Sequence, residues 1–345
     1  MNNIFENRIQ ENGKTRVPVW FMRQAGRYHD HYQNLKKTHD FMTLCKEPKL
    51  ACEVTKGPIE EFDFDAAILF SDLLFPLEQL EMDLVYAPGP KLGKKIETLA
   101  DITTLKVQDP VNFYKFQQEA CRLLKSTLPE SKTLLGFVGA PFTLYAYAVE
   151  GSHAGSLVSS KKGLYDGRFE AFTEMMLPNV LHEMKEQAAG GADAVCIFDT
   201  AVGELTLKDF TRFALPKIKY LTSEFKKSYP NTPIIYYSRN THMNYLRAIQ
   251  DDNIDVLGVD WRHNLAEVLN EFSNDYYIQG NFDPCWLHLE WSQVENHLKE
   301  FHQELVDAKV DFSKWICGLG HGVLQHTPQE NVKNAVDFIH KNFIY

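Results

Sequence analysis

Two arginines four residues apart form the pattern best suited to binding an anion. Arg23 and Arg27 follow an apolar run in the stretch PVWFMRQAGRY, residues 18–28. On a helix this spacing places both guanidinium groups on one face, whereas Gly26 favours a turn or a close backbone approach. In both geometries the planar, permanently charged groups suit carboxylate or phosphate. Because the pair directly follows a strand-like run, we predict an anion site rather than two unrelated surface arginines.

Polar residues also follow the other strand-like runs. They are Ser71, Asp72, Tyr147, Asp199, Thr200, Ser238, Arg239, Asn240, His242, Asp260, Arg262, Asn281, Asp283 and His321. In a parallel α/β barrel the loops after the strands build the active site. Packing alone does not explain so many polar groups in equivalent positions, and we therefore expect the functional residues there.

Several of these residues have a structural alternative. Asp72 and Thr200 each suit the N-cap of a following helix. Asp199 and Asp260 suit an ion pair with Arg262. For these two aspartates we favour the structural interpretation over catalysis.

Aromatic and imidazole side chains raise similar alternatives. Tyr147 lies in an aromatic cluster that also suits a core. His321 lies between two glycines, which permit tight backbone geometry and bring the imidazole into a pocket. His29 and His31 have the spacing of a metal pair, but we place them on a surface helix without a third ligand and predict no metal site.

Eight short apolar runs alternate with amphipathic, helix-length stretches. The runs are 17–22, 66–70, 133–138, 194–198, 233–237, 256–261, 276–280 and 315–319, and the helical stretches include 112–126, 168–189, 207–227, 265–272 and 292–308. Apolar runs without clean polar alternation are typical of parallel strands buried on both faces. The pattern predicts an α/β protein, a single (β/α)8 TIM barrel over residues 1–345, with long loops at 82–104 and 148–166.

Composition and charge limit the possible partners. The chain has 345 residues, is 44% hydrophobic, and carries a net charge of −10. No block of Lys and Arg is present, which argues against a nucleic-acid binder. An acidic protein with an anionic ligand must rely on local arginines, because distant charges are screened beyond about 8–10 Å.

The cysteines and the apolar runs indicate the compartment. Six cysteines are scattered without CxxC spacing, which predicts reduced thiols in a cytoplasmic protein. The N-terminal residues lack the apolar segment of a signal peptide. No apolar run reaches the length of about 18 residues that a membrane-spanning helix needs, so we expect no membrane partner.

Several motifs in order resemble the uroporphyrinogen decarboxylase family. PVWFMRQAGRY (18–28) and GFVGAPFTLYAYAVEG (136–151) are similar to its two signatures, and VDW (259–261), QGNFDP (279–284) and LGHGV (319–323) follow in order. The resemblance implies a single-domain barrel, typically a homodimer with facing clefts. It also implies removal of carbon dioxide from the four acetate side chains of uroporphyrinogen III, giving coproporphyrinogen III in heme biosynthesis, without a metal or organic cofactor.

The resemblance further implies roles for particular residues. The substrate-binding residues would be Arg23, Gln24, Ala25, Gly26, Arg27, Asp72, Tyr147, Thr200 and His321, with Phe70, Phe137 and Phe198 as apolar walls. The two arginines would hold carboxylates, and Asp72 would accept hydrogen bonds from the pyrrole N–H groups. Catalysis would fall to Asp72, Arg23 and His321. The proton donor stays open between His321 and a trapped water, since arginine is a poor acid.

Two rival functions remain at this stage. A zinc-dependent, corrinoid-linked methyltransferase of the same fold would use a His-x-Cys motif after the fifth strand, but His242 has no cysteine two residues on. A tetrapyrrole carrier with a decayed site would not need intact Arg23, Arg27, Asp72 and His321. Thr200, where the family usually has serine, leaves room for an altered rate.

Overall fold

The computed structural model describes residues 9–11, 14–87 and 89–345 of the chain. The signal-peptide prediction therefore falls largely outside the described residues, as does Pro88 in the predicted loop 82–104. Among the helices of the described part, none is both long and apolar enough to cross a membrane.

The strands alternate with helices through most of the chain. The strands are β1 Ile9–Glu11, β2 Lys14–Arg16, β3 Ala66–Ile68, β4 Leu84–Tyr86, β5 Pro90–Leu92, β6 Thr133–Gly139, β7 Ala194–Asp199, β8 Ile234–Ser238, β9 Val256–Gly258, β10 Tyr277–Phe282 and β11 Trp315–Leu319. The helices are α1 Asp30–Lys36, α2 Phe41–Lys46, α3 Pro48–Phe62, α4 Phe75–Gln79, α5 Leu99–Thr103, α6 Pro110–Phe113, α7 Lys115–Thr127, α8 Pro141–Glu150, α9 Val158–Gly163, α10 Arg168–Ala189, α11 Leu207–Asp209, α12 Leu215–Lys226, α13 Met243–Ile249, α14 Leu265–Phe272, α15 Trp291–Asp307 and α16 Gln329–Asn342. This order confirms the α/β class.

Seven of the eight predicted runs contain strands of a seven-stranded parallel sheet, within the described ranges. The strand β11 begins and ends where the sequence predicts, and the others differ by a few residues. At the first run, residues 17–22, the described structure has an isolated bridge and no strand, so it contains seven of the eight predicted strands. The chain also divides into two compact units.

The first unit comprises Met1–Phe70, Ala120–Leu135 and Asp255–Tyr345. Here β3 pairs in parallel with the start of β6, and β10 pairs in parallel with both β9 and β11. Aromatic rings fill part of its core. The ring centroid of Phe64 lies 5.1 Å from that of Phe21 and 5.9 Å from that of Phe62.

The first predicted strand is replaced by an irregular segment with a single bridge. Val19 forms an isolated parallel bridge with Cys317 of β11, and the Val19 carbonyl accepts a hydrogen bond from Asp65 N at 3.0 Å. Pro18 has no N–H to donate, and the Val19 N–H donates to the Asp65 carboxylate at 2.8 Å instead of to a strand. The segment thus lies beside β11 and the residue before β3 without strand geometry.

The second unit comprises Ser71–Glu119 and Gly136–Ile254. Its strands β7 and β8 pair in parallel, and β4 and β5 form an antiparallel hairpin within the predicted loop 82–104. The long helix α10 has the predicted bounds 168–189. The helix predicted at 207–227 instead begins as a short helix and a π-helical segment, Phe210–Ala214, because Pro216 lacks the N–H that a continuous α-helix would use.

Candidate functional site

Arg23 lies at the surface of the first unit in a strained backbone conformation. Its φ is 57°, in the left-handed region that residues with a Cβ rarely adopt. The segment 23–28 forms turns rather than a helix, so the turn predicted from Gly26 is confirmed and the helical alternative is wrong. Arg23 is exposed, as is Arg27. Non-glycine residues in this conformation concentrate at functional sites.

Glycine 322 accommodates the stem of Arg23. A Cβ on Gly322 would lie 2.4 Å from Arg23 Cδ and 2.9 Å from Arg23 Cβ. The neighbouring Val323 N donates to Met22 O at 2.9 Å, which joins the two segments. The structure therefore brings Arg23 beside the loop that carries His321.

The other glycine next to His321 serves a different contact. A Cβ on Gly320 would lie 2.5 Å from Trp261 N and 3.1 Å from Asn281 O. Neither glycine has the positive φ that tight turns require. The predicted need for glycine beside His321 is confirmed, and its cause is close approach of backbone and side chains.

The three residues between the arginines build the turn. Gln24 is fully buried; its amide donates to Ala66 O at 3.0 Å and its Oε1 accepts from Ile68 N at 2.8 Å, which binds the turn to β3. Ala25 packs against a buried apolar cluster. Gly26 O accepts from His29 N at 2.9 Å. With its side chain bound to β3, Gln24 positions the two arginines.

Phe70 ends the first unit and packs among aromatic rings. Its ring centroid lies 5.3 Å from that of Tyr32 and 5.8 Å from that of Phe41. One edge of the half-buried ring is thereby held in place.

Asp72 is the second residue of the second unit and lies, half-buried, just before α4. Its Oδ1 accepts from Leu74 N at 2.8 Å, but α4 begins at Phe75 with Leu74 as its N-cap, so the N-cap alternative for Asp72 is wrong. The neighbouring Ser71 Oγ accepts from the Gln117 amide at 3.1 Å. The turn is thus fixed from both residues.

Tyr147 lies on α8 with its ring half-buried. Its hydroxyl is hydrogen-bonded to Nδ1 of His153, and the two ring centroids lie 5.1 Å apart. His153 belongs to the predicted loop 148–166 and was not among the predicted site residues. An imidazole six residues from a tyrosine carries no sequence signal that distinguishes it from a surface histidine.

Thr200 follows β7 beside the apolar walls. Its Oγ1 is buried and has no hydrogen-bond partner within the described part of the chain. The helical turn after it, Val202–Glu204, is capped at Ala201, so the N-cap alternative for Thr200 is wrong. Phe198, just before it, lies 5.6 Å from Phe137, and both rings are buried.

The interpretation as an ion-pair partner of Arg262 is confirmed for Asp260 and wrong for Asp199. Asp260 pairs with Arg262 at 3.1 Å. Asp199 accepts instead from Thr143 Oγ1 at 2.8 Å and from the Tyr236 hydroxyl at 3.0 Å. Burial raises the pKa of Asp199 to about 7, against the opposing effect of these two hydrogen bonds.

The two histidines with metal-pair spacing have separate partners. His29 Nε2 lies 2.7 Å from Glu61 Oε2, and His31 Nε2 lies 3.2 Å from Glu53 O. The placement on a surface helix is wrong for His29, which is fully buried just before α1. Over residues 9–11, 14–87 and 89–345, no three His, Cys, Asp or Glu side chains are grouped to hold a metal ion.

A cavity of about 590 Å³ lies in the first unit, and its lining contains none of the residues that the resemblance assigns to the substrate site. It is lined by residues after β9 and β10 and by the second half of α15, among them Trp261, His263, Asn281, Asp283 and Glu304. Asn281 donates its amide to Asp260 O and to His263 O, both at 2.9 Å. Asn281 therefore ties these loops together, and we assign the cavity no role.

The comparisons with known proteins agree with one another. The model of the family "Uroporphyrinogen decarboxylase (URO-D)" matches residues 2–342. Uroporphyrinogen decarboxylases of Trichlorobacter lovleyi and Chlorobaculum parvum are each 34% identical to this chain; the alignments cover 99% of both chains for the first, and 98% of this chain and 97% of the relative for the second. A solved methyltransferase from Methanosarcina mazei has a TM-score of 0.71 at 14% identity, over 94% of each chain, which shows a shared fold. The chain belongs to the uroporphyrinogen decarboxylase family.

Proposed function

We propose that this protein is a carboxy-lyase that converts the four acetate groups of uroporphyrinogen III to methyl groups. The products are coproporphyrinogen III and carbon dioxide, in heme biosynthesis. The family match over residues 2–342 and relatives of that name at 34% identity support this activity. The chemistry needs no external cofactor, because a pyrrole ring protonated on carbon is itself an electron sink.

The arrangement around Arg23 is the observation that carries the proposal at the level of the site. The backbone of Arg23 has a left-handed conformation and its side chain is exposed. The stem of this side chain packs against Gly322, next to His321. Arg23 and Arg27 bind substrate carboxylates, which their bidentate geometry suits. His321, or a water beside it, moves protons.

The second unit supplies the remaining roles. Asp72 accepts hydrogen bonds from the pyrrole N–H groups and stabilises the cation that forms on ring protonation. Tyr147 and the unpartnered hydroxyl of Thr200 complete the polar lining. Phe137 and Phe198, whose ring centroids lie 5.6 Å apart, form an apolar wall. In the first unit, Phe70 offers apolar surface, and the backbone of residues 24–26 completes the carboxylate contacts.

Replacing Asp72 by asparagine tests the electrostatic role. Asn keeps the shape and removes the negative charge, so kcat should fall by about 10²–10³-fold while the macrocycle still binds. The assay is anaerobic turnover of uroporphyrinogen with chromatography of the oxidised products, and Asp252→Asn, at an exposed aspartate, is the control. Near-normal turnover of Asp72→Asn would remove Asp72 from the mechanism.

We propose further that the sheet closes as a single-domain (β/α)8 barrel, with residues 17–22 in the eighth position. The backbone hydrogen bonds of this segment to β11 and to Asp65 support this arrangement. A cytoplasmic location is consistent with six free cysteines, five of them buried.

A homodimer is the expected assembly. Four large apolar side chains are exposed on the predicted loops 82–104 and 148–166, namely Val85, Leu99, Val158 and Tyr165, at 54, 47, 59 and 63%. Burying such side chains against a second copy stabilises an interface. Light scattering over a dilution series tests this, and a fully active monomer at micromolar concentration would contradict it.

The alternative is a zinc-dependent, corrinoid-linked methyltransferase. The shared fold with the Methanosarcina mazei methyltransferase supports it at 14% identity, against 34% for the decarboxylases. Metal analysis of the purified protein separates the two, because only the methyltransferase requires stoichiometric zinc.

A further inference from the structure

Buried polar side chains of the second unit form a network that no proposed substrate contact uses. Glu183 and Gln187 lie one turn apart on α10, and Gln117 lies on α7. Their exposures are 1, 0 and 1%. The network reaches Ser71, the residue before Asp72.

The amide hydrogens of this network are fully used. The Gln117 amide donates to Glu183 Oε1 at 2.8 Å and to Ser71 Oγ at 3.1 Å. The Gln187 amide donates to Gln117 Oε1 at 2.9 Å and to Phe137 O at 2.8 Å. Each primary amide has two N–H groups, so neither glutamine has a hydrogen left to donate.

Two oxygens of the network remain without a hydrogen. Glu183 Oε2 and Gln187 Oε1 are buried and have no hydrogen-bond partner within the part of the chain that the structure describes. Residues four apart on a helix are neighbours on one face. Two buried acceptors without a donor are costly, and a single hydrogen shared between them would satisfy both.

We infer that Glu183 is a neutral carboxylic acid whose Oε2–H donates to Gln187 Oε1. This bond closes a ring of three hydrogen bonds, Glu183 to Gln187, Gln187 to Gln117 and Gln117 to Glu183. Glu183 is then a positioning residue, which fixes Ser71 and through it the turn of Asp72. The second part of the inference rests on the proposed function of Asp72.

The electrostatic surroundings favour the neutral acid. Burial raises the pKa of Glu183 well above its ordinary value, the hydrogen bond from Gln117 opposes this, and the charge of Asp72 raises it further. The other titratable group facing it is Tyr114, which donates to Gln79 Oε1 at 2.8 Å and whose own pKa burial and Glu183 raise. On α10 itself, His182 and Glu186 pair with each other at 3.4 Å.

The ring also fixes the wall of the proposed pocket. Gln187 donates to Phe137 O, and a Cβ on Gly136 would lie 2.3 Å from Gln187 Oε1. The glycine leaves space for the amide against β6. Loss of the ring therefore frees both the Asp72 turn and the strand that carries Phe137.

Glu183→Gln is the decisive variant, because it keeps every bond of the ring without needing a proton. Its Oε1 accepts from Gln117 and its new amide donates to Gln187. Glu174→Gln, at an exposed position on the same helix, is the matched control. The infrared difference spectrum between wild type and Glu183→Gln at pH 7 should contain a protonated carboxyl C=O band that shifts in D2O, and the difference spectrum between wild type and Glu174→Gln should not; Asp199 is present in all three proteins and cancels. A wild-type band unchanged by Glu183→Gln would overturn the inference.

The pH dependence of stability gives a second, independent test. The folded pKa of Glu183 is raised above its unfolded value of about 4.5. Stability from the neutral acid is therefore complete below that value and is lost as pH rises. The folded-to-unfolded ratio of wild type relative to Glu183→Gln should fall as pH rises above about 5, by at most about tenfold per pH unit. A ratio independent of pH would contradict the inference.

Kinetics then test the positioning role. Glu183→Gln should keep kcat within about twofold, whereas Glu183→Ala, which orphans both glutamines, should lower kcat more than it changes KM. An inactive but folded Glu183→Gln would overturn the positioning role. Absence of turnover in the wild type would instead refute the proposed function, and the infrared and stability tests would still show whether Glu183 is protonated.

Discussion

Two aspartates are buried to a similar extent, but one has positively charged partners and the other has neutral partners. Asp65 immediately precedes β3 in the first unit, and Asp199 is the last residue of β7 in the second; they are 2 and 0% exposed. Asp65 binds both terminal nitrogens of Arg16, at 2.7 and 2.8 Å, and lies 3.2 Å from His340 Nε2. Asp199 accepts only from two hydroxyl groups in the described structure, those of Thr143 and Tyr236.

The protonation of the two carboxyl groups differs accordingly. Burial alone raises the pKa of Asp65, but hydrogen bonds from Arg16 and His340 outweigh it and hold the pKa well below its ordinary value. At Asp199 burial prevails and raises the pKa to about 7. Equal burial therefore leaves the two aspartates with opposite pKa shifts, because only Asp65 has cationic partners that outweigh the effect of burial.

The difference matches the position of each residue on its strand. Asp65, before a strand, accepts from the Val19 N–H and contacts Arg16 and His340, and it thereby joins three separate segments of the first unit. Asp199, at the end of a strand, lies next to Thr200, and its partner Thr143 Oγ1 also accepts from Ala201 N at 3.1 Å. In parallel barrels the residues before strands serve stability and those after strands serve function.

The largest expected effect is that of Asp65→Asn on stability. Removing the charge leaves Arg16 buried without its partner, which should lower the free energy of unfolding by about 3–5 kcal/mol. Urea unfolding at pH 7 measures the change. The control is Asp63→Asn, at an exposed ion pair with Lys132, which should cost less than about 1 kcal/mol. Equal losses in the two variants would contradict the contrast.

Asp199→Asn should change how stability depends on pH. The folded pKa of about 7 lies above the ordinary value of about 3.8, so the contribution of the neutral carboxyl is lost as pH rises towards 7. Between pH 5 and 7 the wild type should lose about 2–3 kcal/mol relative to Asp199→Asn. Denaturant unfolding at several pH values measures this, and parallel curves would show that Asp199 is ionised throughout.

Gly322→Ala should affect turnover more than stability. The added methyl group overlaps the Arg23 stem, 2.4 Å from Cδ, so the guanidinium group must move. A misplacement of about 1 Å costs up to about 10²-fold in rate, and kcat should fall by about 10- to 100-fold with little change in unfolding free energy. Gly89→Ala is the control, because a Cβ on Gly89 meets no atom within 4 Å. Gly203→Ala is unsuitable, because a Cβ on Gly203 would lie 2.3 Å from a backbone oxygen.

Arg27→Lys should have the smallest effect. Charge is kept and the bidentate fork is lost, so substrate affinity should weaken by about 0.5–1.5 kcal/mol. A titration under anaerobic conditions measures this. Unchanged affinity would place Arg27 outside the carboxylate site.

The sequence predicts helices, strands and strand-end residues well where the local residue pattern determines them. Apolar runs located seven strands, and helix bounds such as 168–189 followed from amphipathic spacing. No strand forms at the first run, residues 17–22, because the Val19 N–H donates to the carboxylate of Asp65, which lies far along the chain. A long-range hydrogen bond of this kind leaves no local signal.

Partners across the fold were also beyond sequence reasoning. Asp199 was assigned to Arg262, yet the hydroxyl groups that contact it come from α8 and β8. Glu183 and Gln187 were visible as polar residues on a helix, but their burial and the count of available donors require the structure. Gly26 in the motif around Arg23, in contrast, indicated the turn directly.

The most direct test of the central claim is anaerobic incubation of the purified full-length protein with uroporphyrinogen III, without added metal or cofactor. Carbon dioxide release and chromatography of the oxidised porphyrins should show successive loss of four carboxyl groups, ending at coproporphyrin III. Recovery of unchanged uroporphyrin, from folded protein under these conditions, would contradict the account.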